Sequence, residues 1–311
     1  MDLSIVSTIY CTGPYLKEFC TRAFHSAEKA GYHSNSIEIL LVNDGCPNNG
    51  LHDALDIFAK EPRIKIIDLS RNFGHHKAMM IGCSQAQGQE IFLIDSDLEE
   101  SPEWIIEFKK KKDQDNADVV YGVQKKRKGA LFESLSGGLF YTIFNFLSSE
   151  HVEPNMITAR LMSRRFVDKL SEFQDREPFF FGLCISVGYK QEPYFITKLS
   201  SSPSSYTFRK KIKLALDSIT SYSAKPLIFI AELGVIITFL SILMIIYIII
   251  KQVICGYAPT GWSSLMLSVW FMGGIILFCL GVIGIYISRI YTEIKHRPYT
   301  VIRKIYSHED C

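Results

Sequence analysis

Asp95-Ser96-Asp97 closes the apolar run Ile91-Phe92-Leu93-Ile94, which reads as a short buried strand. Two carboxylates one residue apart at a strand end can face a common point once the backbone turns. Such a pair suits a hard divalent cation, which takes oxygen ligands and often bridges phosphates. The same triplet also serves simply to cap a helix or solvate a turn, as Asp commonly does. The neighbouring elements decide between the two.

Up to about residue 122, strand-like and helix-like segments alternate. Leu3 to Ile9, Ile37 to Val42, Ile64 to Leu69, Ile91 to Ile94 and Val119 to Tyr121 read as strands. Tyr15 to Ala30, Leu51 to Ala59 and Lys77 to Gln85 read as the helices between them. The alternation predicts βαβ units and an α/β fold with a mostly parallel sheet covered on both faces. Tyr10, Asp44, Arg71 and Asp95 then fall at or just past successive strand carboxyl ends, where open α/β sheets bind ligands.

The remaining composition is concentrated elsewhere. The 311 residues carry a net charge of only +2, which does not suggest a nucleic-acid partner. Eight cysteines without a Cys-x-x-Cys pair argue against a zinc ribbon and a secreted disulfide framework. The N-terminus shows no basic region followed by an apolar one, so no cleaved signal peptide is expected. Leu227 to Ile250 and Trp262 to Ser288 are nearly continuous hydrocarbon. Each exceeds the roughly 20 residues needed to cross a bilayer as a helix. Arg209, Lys210, Lys211, Lys213 and Lys225 precede the first, and Arg289, Lys295, Arg297, Arg303 and Lys304 follow the second. The positive-inside rule places both termini in the cytoplasm. The expected organisation is a cytoplasmic domain over 1–205, an interfacial amphipathic helix over 206–225, two transmembrane helices over 226–290 and a cytoplasmic tail over 291–311. The stripe Ile212, Leu216, Ile219 and Tyr222 with Arg209, Lys210 and Lys213 beside it suits a lipid-headgroup boundary. A second apolar helix, Gly129 to Ser148, reads either as core or as interfacial.

Val42-Asn43-Asp44-Gly45-Cys46, Ser70-Arg71-Asn72-Phe73-Gly74, Ile94-Asp95-Ser96-Asp97-Leu98-Glu99 and Arg160-Leu161-Met162 together resemble the family-2 glycosyltransferases with a GT-A fold. The likeness extends through Pro178 to Gln191 and Arg289 to Pro298, and is to the polyprenyl-phosphate sugar transferases. It implies transfer of a hexose from a nucleotide sugar, with UDP favoured, to undecaprenyl phosphate at the cytoplasmic face of the inner (plasma) membrane. It also implies a Mg2+ or Mn2+ cofactor, contact with membrane lipid, a functional link to a flippase, and a product used for cell-surface polysaccharide such as O-antigen; a homo-oligomer is compatible with it. By the same resemblance Asp44 holds the nucleoside, and Arg71 and Tyr10 lie at the nucleotide. Asp95 and Asp97 serve the ribose and the metal-bound diphosphate, with Glu99 near the metal. Arg127 and Arg160 take the acceptor phosphate.

Three positions depart from the family pattern. The usual Val-Pro-x-Tyr-Asn-Glu start is here Val6-Ser7-Thr8-Ile9-Tyr10-Cys11-Thr12. Phe181 stands where relatives commonly have arginine, and Thr158 where many bacterial members have an acidic residue. A phosphate monoester, with a second pKa of about 6, is already an anion and needs positioning rather than a general base. Arginines position such a group through paired hydrogen bonds. His75 and His76 point about 100° apart on a helix, which argues against a shared ion and for supporting roles. The alternatives are a degenerate membrane-anchored binding protein and a processive polysaccharide synthase, the latter disfavoured by the lack of a Gln-x-x-Arg-Trp motif.

Overall fold

The strands form where aliphatic and β-branched residues run without a charged face. β1 (Leu3–Ile9) and β2 (Ile37–Asn43) are buried along their whole length, as parallel strands covered on both faces must be. The computed structural model describes residues 1–124, 155–176, 178–196, 225–255, 261–295 and 297–308. Arg127, the apolar stretch Gly129 to Ser148 and the interfacial helix expected over 206–225 lie outside or almost wholly outside these described residues.

The helices and strands follow in the order β1, α1 (Gly13–Lys29), β2, α2 (Gly50–Phe58), β3 (Ile64–Leu69), α3 (His75–Gln85), β4 (Glu90–Leu93), α4 (Trp104–Asp115) and β5 (Val119–Gln124). Then come β6 (Met156–Ser163), α5 (Arg164–Ser171), α6 (Phe180–Ser186), β7 (Gln191–Ile196), α7 (Lys225–Cys255), α8 (Trp262–Ile294) and β8 (Ile302–Tyr306). The eight strands make one sheet in the order β7-β5-β6-β4-β1-β2-β3-β8. β1 pairs in parallel with β2 and β4, β2 with β3, and β5 with β7. β6 is antiparallel to both β4 and β5, and β8 is antiparallel to β3.

Two features of this order go beyond the alternating pattern. β6 inserts between β4 and β5, so the fifth strand of the βαβ series is not a neighbour of the fourth. Within the segment 291–311, expected as a cytoplasmic tail, Ile302–Tyr306 forms β8 on the outer edge of β3.

The sheet's main core joins Ile5, Ile39, Leu41, Phe92 and Ile94 to Leu16, Phe19 and Phe24 of α1 and Ile105 and Phe108 of α4. α3 closes on the sheet at Gly82, where an added Cβ would lie 2.5 Å from a Val6 methyl and 2.9 Å from a Val42 methyl. No larger residue fits that contact.

α7 and α8 belong to a second compact unit. Their apolar windows, Lys225–Met244 and Ser268–Ile294, have mean hydropathies of 2.5 and 2.3, and none of either window is buried within protein. Trp270 is 79% exposed and Leu277 71%, levels that water would penalise and hydrocarbon would not. Both helices are long and apolar enough to cross a membrane.

Candidate functional site at the strand carboxyl ends

Four connections leave the carboxyl ends of β1 to β4, and each contains a residue of positive φ: Cys11 at 61°, Gly45 at 59°, Gly74 at 102° and Leu98 at 62°. At Gly45 the reason is visible. A Cβ there would lie 2.4 Å from the Asn72 nitrogen and 2.5 Å from the Arg71 carbonyl carbon. This close approach presses the turn after β2 against the turn after β3.

Asp44 fastens those two turns together. Its carboxylate accepts from the Phe73 amide at 2.7 Å and the Gly74 amide at 3.0 Å. Burial raises the Asp44 pKa, while the two amides, His75 and Lys77 oppose that rise. Each carboxylate oxygen still has a lone pair beyond its amide bond. Arg71, exposed at the same place, lays its guanidinium 4.3 Å from the Phe73 ring centre. It lines a cleft of about 570 Å³ together with Gly45, Cys46, Asn72 and Arg303. Tyr10 is 51% exposed just beyond β1, and the amide of Cys11 donates to Cys46 Sγ at 3.2 Å.

The turn after β4 is tied to β1 on two sides. Ser96 is buried and its hydroxyl donates to the Thr8 carbonyl at 2.8 Å, with Thr12 Oγ1 2.8 Å from Ser96 Oγ. On the other side His75 spans from Thr8 Oγ1, 3.1 Å from Nδ1, to Asp95 Oδ1, 3.5 Å from Nε2. Thr8 belongs to the atypical Val-Ser-Thr-Ile-Tyr stretch, so this departure from the family pattern has a structural use. Asp97 Oδ1 accepts from the Glu99 amide at 2.9 Å, closing a tight turn around Leu98. Asp95, Asp97 and Glu99 thus occupy one short segment.

Among the described residues no group of three or more His, Cys, Asp or Glu side chains is arranged to hold a metal ion. The donor set nevertheless fits Mg2+ or Mn2+. It is all oxygen, and Mg2+ is usually held by one or two carboxylates plus substrate phosphates rather than by a complete protein cage. Asp97 and Glu99 would hold such an ion.

His76 behaves differently from His75. Its ring sits 5.6 Å from both Phe179 and Phe181, and the Phe180 amide points at Nδ1 from 3.4 Å. Desolvation, reinforced by the charges of His75 and Arg160, pushes its pKa down to about 3. It is a neutral packing residue between α3 and the start of α6. His75 thus bridges Thr8 and Asp95, while His76 packs against Phe179 and Phe181.

Arg160 lies on β6 opposite Leu93 and Tyr121, close to the site in the sheet but not open to solvent. It is 1% exposed. Its donors reach the carbonyls of Thr158 and Ile157, each at 3.2 Å, and Cys184 Sγ at 3.1 Å. The Phe180 and Phe181 ring centres lie 4.9 and 4.8 Å from the guanidinium carbon. Phe181, where relatives commonly have arginine, therefore covers the arginine that is present. A carboxylate also reaches the Thr158 position from another element: buried Glu100 accepts from the Thr158 amide at 3.1 Å. Its place in the segment after Asp97 offered no sign of this, because the contact spans two distant parts of the chain.

The family description "Glycosyl transferase family 2" matches residues 4–171. The chain is similar to a protein of Mycobacterium tuberculosis named as a glycosyltransferase, 40% identical over 98% of this chain and 89% of that one. It is 35% identical to the Bacillus subtilis glycosyltransferase YkcC, covering 88% of this chain and 85% of the other. It is also 31% identical to the SfII prophage-derived bactoprenol glucosyl transferase of Shigella flexneri, over 86% of this chain and 87% of that one.

Proposed function

Because the chain belongs to glycosyl transferase family 2, we propose that it transfers a hexose from a nucleotide sugar, a UDP-sugar by preference, to undecaprenyl phosphate at the cytoplasmic face of the plasma membrane. The observation that carries this reading is the Asp95–Glu99 turn after β4, tethered to β1 through Ser96 and His75 at the same sheet edge that carries Asp44 after β2 and Arg71 after β3. It sets oxygen ligands at the carboxyl edge of a parallel sheet, the edge that also carries the exposed Arg71, which suits a sugar nucleotide with its diphosphate. The bactoprenol glucosyl transferase, similar over 86% of this chain, supports the lipid acceptor.

In this reading Asp44, Tyr10 and Arg71 hold the nucleoside side of the donor, and Asp95 orients its ribose. Asp97 and Glu99 hold a divalent cation, which supplies charge neutralisation at the departing diphosphate. An oxygen of the lipid phosphate attacks the anomeric carbon. The bond from that carbon to the diphosphate oxygen breaks on the opposite face, and the configuration inverts. The attacking phosphate arrives ionised, so no side chain has to remove a proton. Arg127 and Arg160 are assigned to that phosphate. For Arg160 the assignment requires its donors to exchange the Ile157 and Thr158 carbonyls for phosphate oxygens.

The pairing of β8 with β3 supports the orientation. It returns the chain after the apolar hairpin to the sheet that precedes it, so an inserted hairpin crosses twice and both flanks share one side. The cationic flanks make that side the cytoplasm. The lipid-linked sugar would then pass to a flippase and serve a cell-surface polysaccharide.

Full-length protein in lipid nanodiscs tests the reading, with UDP-glucose or GDP-mannose as donor and Mg2+ or Mn2+ present. Formation of a glycosylated undecaprenyl phosphate, with undecaprenol inert, is the expected result. Equal use of undecaprenol would remove the phosphate acceptor. Nucleotide-sugar binding without consumption would make the chain a binding protein.

A further inference from the structure

We propose that Arg303, delivered by the C-terminal strand after the membrane hairpin, is a positioning residue for the nucleotide cleft. The inference rests on the reading of Asp44 and Arg71 as nucleotide residues, and adds a component that lies outside the family-matched segment 4–171.

The geometry begins with an irregularity. β8 pairs Ile302 with Leu69 and Lys304 with Asp68, and the register shifts between those two pairs. Arg303 is the extra residue on β8. A bulge of this kind re-aims a side chain, and such bulges are common beside active sites. Here it directs the guanidinium to two groups on β3 and its exit. Nη2 donates to the Ser70 carbonyl at 2.7 Å, and Nη1 stands 3.3 Å from Asp68 Oδ2. The Ser70 amide also donates to the Val301 carbonyl at 2.9 Å. Ser70 immediately precedes Arg71.

Asp68 carries the connection inward. Its side chain is 2% exposed, while that of Arg303 is 58% exposed. The other Asp68 oxygen, Oδ1, accepts from Asn43 Nδ2 at 2.7 Å, and Asn43 Oδ1 accepts from the Cys46 amide at 3.2 Å. Asn43 immediately precedes Asp44. One guanidinium therefore holds the turn after β3 directly and the turn after β2 through a buried carboxylate and an amide. Those are the two turns that Asp44 clasps and that line the cleft with Arg303 itself.

A buried carboxylate needs a compensating charge or hydrogen bonds. An ion pair with one well-exposed member adds little to overall stability. Arg303 thus acts mainly on where the two turns sit. Its planar fork is suited to two acceptors at once, which a lysine cannot reproduce.

The test uses full-length protein in nanodiscs with UDP-glucose, and GDP-mannose as the alternate donor. Arg303→Met is expected to raise the donor KM about tenfold, with kcat and the KM for undecaprenyl phosphate within about twofold of the wild type. Arg303→Lys is expected to recover part of the loss. In an Asp68→Asn, Arg303→Met double variant the donor KM should be no worse than in the worse single variant, because the two act in series. An unchanged donor KM in Arg303→Met, with the wild type active, would overturn the inference and leave the proposed function standing. Should Arg303→Met not fold, Arg303→Lys decides: a raised donor KM supports the inference and a wild-type value overturns it. A wild type that binds neither nucleotide sugar would overturn the underlying reading, and the inference with it.

Discussion

The two ends of the same strands are built on opposite principles. At the amino ends, polar side chains answer one another inside the fold. The Ser4 hydroxyl donates to Glu38 Oε1 at 2.5 Å, and the Gln87 and Gly88 amides donate to Ser4 Oγ at 3.1 and 2.7 Å. Lys65 stands 3.4 Å from the other Glu38 oxygen, and both Ser4 and Glu38 are fully buried. Nearby, Glu90 accepts from Tyr32 at 2.5 Å and from Lys112 at 2.6 Å. Burial works against the Glu90 charge, but those partners outweigh it and hold its pKa below the usual range. At the carboxyl ends, Asp95 and His75 stay partly exposed, Arg71 and Tyr10 reach solvent, and the backbone after each of β1 to β4 enters the left-handed region once. Of the other positive-φ residues described, Gly31, Asn116 and Gly188 terminate helices and Asn155 immediately precedes β6. One end of the sheet pairs its polar groups within the fold by hydrogen bonds and the Lys65–Glu38 ion pair, while the other bears the positive-φ residues Cys11 and Leu98 and leaves Asp95, His75, Arg71 and Tyr10 partly or fully exposed. The strained non-glycine residues Cys11 and Leu98 at that edge support the proposal of a site there.

The largest effect should come from removing a carboxylate at the outward-facing end. Asp97→Ala is expected to lower transfer about 10²–10³-fold, the range for losing a preorganised electrostatic group, with the thermal midpoint unchanged. A transfer assay alongside a melting curve checks both halves, and near-normal turnover would collapse the contrast between the two ends. The mirror experiment lies at the amino end. Ser4→Ala removes the Ser4 Oγ acceptor of the Gly88 amide and should cost about 1–3 kcal/mol of stability, read by denaturant unfolding in detergent, with kcat unchanged. If Ser4→Ala slowed turnover at constant stability, the amino end would not be purely structural.

His76 sharpens the boundary between the two ends, because its neighbour His75 faces the site while it packs among phenylalanines. Its pKa falls from 6.5 to about 3 on folding. Below pH 6.5 the unfolded chain therefore takes up a proton that the folded chain refuses until near pH 3. Stability is full above that window and is lost as the pH falls through it, by at most about 1.4 kcal/mol per pH unit. His76→Gln should flatten the pH dependence of the melting temperature between about pH 4 and pH 6.5, the range in which the folded chain keeps His76 neutral. An unaltered slope would show that His76 is not desolvated by folding.

Local pattern carried much of this architecture. β1 to β4 announce themselves because a parallel strand buried on both faces must be apolar nearly throughout, and the Asp, Arg and Tyr residues that break those runs do so at the strand ends. α3 begins two residues before its expected start at Lys77, because Gly74 serves as its N-cap and brings both histidines into the first turn. Arg160 was visible as part of a motif, but its burial was not. The run Ile157 to Met162 is buried on both faces once β6 lies between β4 and β5, so alternation gives no clue to which side chains meet solvent.

The sequence by itself determined the α/β class, the two apolar helices and the strand-end placement of Tyr10, Asp44, Arg71 and Asp95, because each follows from local periodicity and from which residue types tolerate burial. Only the tertiary structure decided the order of the strands, the Thr8–His75–Asp95 bridge and the union of Arg303 with Asp68. Those depend on contacts between residues far apart in the chain, 235 positions in the last case. Such contacts are selected by the global packing of the sheet and leave no periodic trace in the segments that make them.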